Sequence, residues 1–142
     1  MLVMPKLNGL LETALYVDDK ERSVRFFREV MGLEIMLETD RLTAFNDGAN
    51  GVLLIFARGQ SVDGEQTPTG FIPGHNGSGQ LHMAFKIAAN TYDEWRSHLR
   101  AAGVTELSEV TWPAGGRSYY FEDPDRNVLE IATPGLWPNY KT

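Results

Sequence analysis

Glu12, His82 and Glu130 are the residues whose types and settings point to chemistry. Each is followed two positions later by an alanine: Ala14, Ala84 and Ala132. Each sits in a run with alternating apolar residues, so each lies on the strand face opposite the apolar one. A small neighbour on that face leaves room beside a polar head. One imidazole and two carboxylates suit a divalent ion such as Mn, Fe(II), Zn, Co or Ni. Three protein ligands leave positions open for water or substrate, as a catalytic metal requires. Any one of the three, taken alone, is an ordinary strand residue; their joint placement is what matters. His75, in a Gly/Pro loop, and His98, on a helix, are read as structural.

The joint placement follows from an internal repeat. Leu11–Val17 aligns with Leu81–Ile87 at an offset of 70 residues. Met31-Gly32-Leu33 aligns with Ala102-Gly103-Val104 at 71. Phe45–Gly48 aligns with Phe121–Pro124, and Val52–Ile55 with Val128–Ile131, both at 76. Glu12 and His82 are then pseudo-symmetry mates, as are Leu54 and Glu130.

Each half reads β-α-β-β-β. The first has a strand at 10–17, a helix at 20–31 ended by Gly32, and strands near 33–39, 41–47 and 52–58. The second has a strand at 79–87, a helix at 91–102, and strands at 106–111, 117–122 and 127–133. One domain over 1–142 therefore holds module one (about 8–58), a Gly/Pro/Ser/Thr-rich linker (59–78), module two (about 79–134) and an aromatic tail (135–142). A linker of this length serves as a lid or partner contact as well as a connection. The faces opposite the apolar ones are expected to line a common concave surface.

Composition narrows the function classes. The chain has 142 residues, 42% hydrophobic and 23% charged, enough to bury a core. Its 13 Lys+Arg against 19 Asp+Glu leave a formal charge of −6, which disfavours nucleic acid. The absence of cysteine removes disulfides, thiolate metal sites and a cysteine nucleophile. No signal peptide or membrane-length apolar run is visible, so the expectation is a cytoplasmic protein that engages neither membrane nor nucleic acid.

The runs Leu11–Asp19, Arg25–Leu33, Leu81–Phe85 and Gly116–Glu130 resemble the vicinal oxygen chelate superfamily. That superfamily includes glyoxalase I, fosfomycin- and bleomycin-resistance proteins, extradiol dioxygenases and methylmalonyl-CoA epimerase. The most specific piece is Phe121-x-Asp123-Pro124-Asp125-x-Asn127-x-x-Glu130. The resemblance implies an α+β fold of two tandem β-α-β-β-β modules, with open curved mixed sheets around a metal cavity. It also implies a homodimer that shares sites between chains. The family's metal positions fall on Glu12, His82 and Glu130.

Three departures matter. The first ligand is Glu12 where His or Gln is usual. Leu54 stands where glyoxalase I members supply a carboxylate for the proton shuttle. One of the two histidines usual in extradiol dioxygenases is absent. Gly116–Phe121 resembles a fosfomycin-resistance segment whose Ser and Tyr hold a phosphonate, which places Ser118 and Tyr120 against substrate. That branch's Thr is Ala14 here, and its Arg beyond the last ligand is missing.

The expected function is metal-dependent lyase, isomerase or related electrophilic chemistry on a small vicinally oxygenated substrate. Glu12 or Glu130 would act as base. Ser118, Tyr120, Tyr16 and Lys86 would contact substrate. Tyr16, Trp112, Trp137 and Tyr140 are candidate aromatic walls. A non-catalytic drug-sequestering protein and a ring-cleaving dioxygenase remain open as alternatives.

Overall fold

The structure, a computed structural model, describes residues 3–141. The first half holds β1 (Glu12–Val17), α1 (Lys20–Arg25), β2 (Glu34–Glu38), β3 (Leu42–Asn46) and β4 (Val52–Ala57). The linker carries two short strands, β5 (Glu65–Gln66) and β6 (Phe71–Ile72), paired as a hairpin. The second half holds β7 (His82–Lys86), α2 (Tyr92–Ala101), β8 (Glu106–Thr111), β9 (Arg117–Glu122) and β10 (Val128–Ala132). No helix among the described residues is long and apolar enough to cross a membrane.

The helix expected over 20–31 is α-helical only to Arg25. Asp19 caps it by accepting from the Arg22 N–H, and residues Phe26–Val30 continue as a π-helix. The cause lies in Phe26 and Phe27. Neighbours on an α-helix point about 100° apart, yet both rings are buried, edge to face at 5.1 Å. A wider turn brings both onto the core side. Gly32, at φ +73°, then ends the helix, and the Leu33 N–H reaches back to the Phe27 carbonyl.

The two halves match strand for strand. The sheet orders are β1-β4-β3-β2 and β7-β10-β9-β8, each with one parallel pair and two antiparallel pairs. In the first parallel pair Glu12, Ala14 and Tyr16 stand beside Val52, Leu54 and Phe56. In the second, His82, Ala84 and Lys86 stand beside Val128, Glu130 and Ala132. The offsets of 70 and 76 residues in the sequence are thus the register of the two sheets.

One apolar core joins the halves. Leu15, Val17, Phe27 and Ile55 share it with Tyr92, Leu99, Phe121 and Ile131. Polar contacts add to the joint. The Asp125 carboxylate, 3% exposed, accepts from the Asp18 N–H (3.1 Å), the Ser23 hydroxyl (2.9 Å) and Arg22 (3.5 Å). His98 Nε2 donates to the Val30 carbonyl at 2.7 Å, which fits its structural reading.

Asp125→Ala strands these donors at the joint between halves. It should lower unfolding free energy by about 2–3 kcal/mol in urea titration. A change under about 0.5 kcal/mol would show that the joint is held by apolar packing alone.

Candidate metal centre and ligand cavity

Strand alternation puts Leu129 and Ile131 into the core and turns Glu130 to the opposite face, beside Ala84 on one side and Tyr120 on the other. Glu130 is nevertheless only 4% exposed. A buried carboxylate needs donors, and they arrive as a chain. The Trp112 indole N–H donates to Ser118 Oγ at 2.8 Å, and the Ser118 hydroxyl donates to Glu130 Oε2 at 2.5 Å. Ser118 is fully buried. Its hydroxyl is therefore engaged in holding Glu130, which differs from the substrate contact expected of it.

The other oxygen, Glu130 Oε1, faces His82 Nε2 at 3.3 Å. His82 Nδ1 lies 2.8 Å from the Val128 carbonyl oxygen. A carbonyl only accepts, so Nδ1 carries the hydrogen. In the neutral ring Nε2 then bears a lone pair, and it points at a carboxylate oxygen. Two lone-pair groups stay face to face when a positive charge lies on or between them, as a proton on Nε2 or as a divalent cation. An imidazole fixed through Nδ1 to a carbonyl is the usual posture of a metal-ligating histidine. The donor set fits a divalent ion.

Tyr120 stands next to this pair, its ring 6.2 Å from that of His82. Burial pushes the Tyr120 phenol above its ordinary value, and the Glu130 charge adds to the shift. It remains a hydrogen-bond donor at neutral pH. A cavity of about 1,110 Å³ opens from here, lined in part by His82, Glu130, Tyr120, Trp112 and Trp137. Lys86 also lines it, with its ammonium 5.5 Å from the centre of the Tyr140 ring.

Glu12 does not join His82 and Glu130 within the chain. It is exposed at the start of β1, and among the described residues no three His, Asp or Glu side chains stand together. The cavity at His82 and Glu130 is also lined by Leu10, Thr13 and Val52 of module one, but Glu12 itself does not line it.

Tyr16 is also placed apart. Its hydroxyl meets His75 Nδ1 at 2.6 Å, its ring stacks on Phe56, and Gly77 of the linker packs against it. The linker therefore lies over this part of the module-one face. Burial raises the Tyr16 phenol as well. The tail is pinned where the Tyr140 hydroxyl donates to the Ile87 carbonyl at 2.8 Å.

Comparison with known proteins follows the same lines. Residues 9–131 match the family model described as Glyoxalase/Bleomycin resistance protein/Dioxygenase superfamily. The chain is 24% identical over 131 residues to a metallothiol transferase FosB of Staphylococcus haemolyticus, covering 92% of this chain and 86% of that protein. It is 27% identical over 130 residues to a glutathione transferase FosA of Serratia marcescens, covering 92% and 84%. Among solved structures, a lactoylglutathione lyase from Agrobacterium tumefaciens superposes with a TM-score of 0.85 at 31% identity, covering 94% of this chain and 99% of that one. FosX from Listeria monocytogenes gives 0.67 at 25% identity, covering 92% and 97%.

If Ser118 serves Glu130, the two must be energetically coupled. Ser118→Ala and Glu130→Gln should combine non-additively in denaturant unfolding, with an interaction energy of about 1–2 kcal/mol. Additive effects would place Ser118 outside the site.

Proposed function

The chain belongs to the glyoxalase/bleomycin resistance protein/dioxygenase superfamily, and from that premise we propose that it is a metal-dependent enzyme acting on a small vicinally oxygenated substrate. One observation carries the reading: His82, held through Nδ1 by the Val128 carbonyl, turns Nε2 to the buried, donor-held carboxylate of Glu130. A divalent cation held there supplies Lewis-acid polarisation of a substrate oxygen.

The residues around it divide the remaining work. Glu130 is held by Ser118 at one oxygen and faces His82 with the other, so it orients and does not shuttle protons. Tyr120 donates to a substrate oxygen. Glu12, exposed and free to swing, would complete the protein ligands of that cation and would accept the proton removed next to the substrate carbonyl, in the manner of an isomerase or lyase.

Glu12 reaches the site from a second copy of the chain. The segment leading into it supports a homodimer, because Leu7 (94% exposed) and Leu10 (93% exposed) stand bare in solvent beside Val3, Met4 and Leu11. Exposed apolar runs of this kind are covered in an assembly.

Metal analysis by mass spectrometry tests both parts. Wild-type protein should carry close to one divalent ion per chain, and Glu12→Ala, His82→Ala and Glu130→Gln should each lose it. A purified heterodimer of one Glu12→Ala chain and one His82→Ala chain should keep one intact site of two. No metal after loading with Mn, Zn, Ni or Fe(II) would sink the enzymatic reading in favour of a small-molecule binding protein. No recovery in the heterodimer would overturn sharing between chains.

A further inference from the structure

The open face of module two has a definite order along its strands. His82, Ala84 and Lys86 project from β7, and Val128, Glu130 and Ala132 stand beside them on β10. Each step of two residues advances about 7 Å. One end of this face therefore holds His82, its middle holds Glu130 beside Ala84, and its other end holds a cation, Lys86, beside Ala132. Ala84 and Ala132 present nothing beyond a methyl group. All six of these residues except Val128 line the same cavity.

Lys86 is a cation without a carboxylate. Among the described residues it takes part in no ion pair and no side-chain hydrogen bond. Its neighbour is instead the Tyr140 ring, which the Ile87 carbonyl holds in place. A cation–π contact leaves the N–H groups of the ammonium available. The charges of Glu130 and Lys86 are opposite in kind. Glu130 repels an anion from the middle of the face, and Lys86 attracts one to its own end. An occupant with a negative group must lie with that group on Lys86.

The cavity over the two alanines is also lined by aromatic side chains. Trp112 is fixed by its bond to Ser118, and Trp137 of the tail lines the same cavity. Aromatic side chains beside methyl groups favour a planar ring over a puckered one.

We propose that this face binds a planar aromatic anion, a substituted benzoate whose two neighbouring oxygens lie at His82 and Glu130 while its carboxylate lies on Lys86. This deepens the enzymatic reading and rests on it for the fate of the oxygens. The carboxylate subsite belongs to Lys86 and does not need the metal.

Titration calorimetry with four probes tests it, on metal-free and metal-loaded protein: 3,4-dihydroxybenzoate, catechol, benzoate and cyclohexanecarboxylate. Wild type should bind 3,4-dihydroxybenzoate roughly tenfold or more tightly than catechol, the preference a charge-assisted contact gives. Benzoate should bind more tightly than cyclohexanecarboxylate. In Lys86→Met the preference for 3,4-dihydroxybenzoate over catechol should collapse toward one while catechol binding is kept. Trp137→Ala should weaken the three aromatic probes together.

An unchanged preference in Lys86→Met overturns the carboxylate subsite. Equal binding of benzoate and cyclohexanecarboxylate overturns the planar one, and no binding of any probe in either form overturns both. Failure of the enzymatic reading looks different. Metal would then add nothing to the affinity for catechol, while the Lys86 dependence would persist in metal-free protein.

Discussion

Leu15, Val17, Phe27 and Ile55 from the first half meet Leu99, Phe121, Leu129 and Ile131 from the second in one continuous apolar cluster. Strand side chains alternate, so a sheet that gives one face to a core commits the next residue along to the other face. Glu130 sits between Leu129 and Ile131 and has no choice of direction. His82 is fixed in the same way between Leu81 and Met83. A slip of β7 by one residue against β10 would turn His82 into the core and expose Leu81 and Met83. The chemistry of the site is therefore guarded by the same apolar contacts that hold the halves together. Glu12, exposed at the start of β1, stays outside the cavity that His82 and Glu130 line.

Burial of Glu130 sets a second constraint. An ionised carboxylate withdrawn from water loses several kcal/mol of solvation unless donors replace the water. Here Ser118 supplies one donor, and Trp112 supports Ser118 in turn. That chain satisfies Oε2 and leaves Oε1 turned toward His82. A cation between Oε1 and Nε2 would satisfy both lone pairs at once, in a place where low dielectric strengthens the attraction. Since the Trp112–Ser118 arm is built into the strands β8 and β9 and the turn between them, the carboxylate is positioned before any ion arrives. Preorganised ligands of this kind avoid the cost of ordering on binding.

Much of this was readable in the residues themselves, and the parts that were not have physical reasons. The repeat was legible because strand pairing preserves spacing; β8 and β9 occupy the expected 106–111 and 117–122 without adjustment. The directions of His82 and Glu130 followed from alternation. The π-helical stretch did not, because a Phe26-Phe27 pair fits an α-helical pattern until both rings are required to face one core. Ser118 was legible as a residue on the site's face, but its bond to Glu130 depends on how β9 registers with β10, a long-range fact. The isolation of Glu12 depends on how one half packs on the other, which no local pattern encodes. The Lys86–Tyr140 contact needs the path of a tail without periodicity.

The register makes the two faces comparable position by position, and the comparison shows a division of labour. Where module two has His82, Lys86 and Glu130, module one has Glu12, Tyr16 and Leu54. Leu54 and Phe56 make the first face apolar at its centre, and an apolar face left open is a liability. The linker answers it: His75 and Gly77 pack on Tyr16, and His75 also meets Phe56 edge to face at 4.7 Å. Module two has the reverse problem. Its central residue is a carboxylate, whose needs are met by Ser118 and His82 from its own sheet, so its face can stay open to a ligand. The linker between the modules is long because it must return across the first face before β7 begins. Glu12 lies at the end of β1 opposite Tyr16, away from that cover. Its side chain stays exposed there.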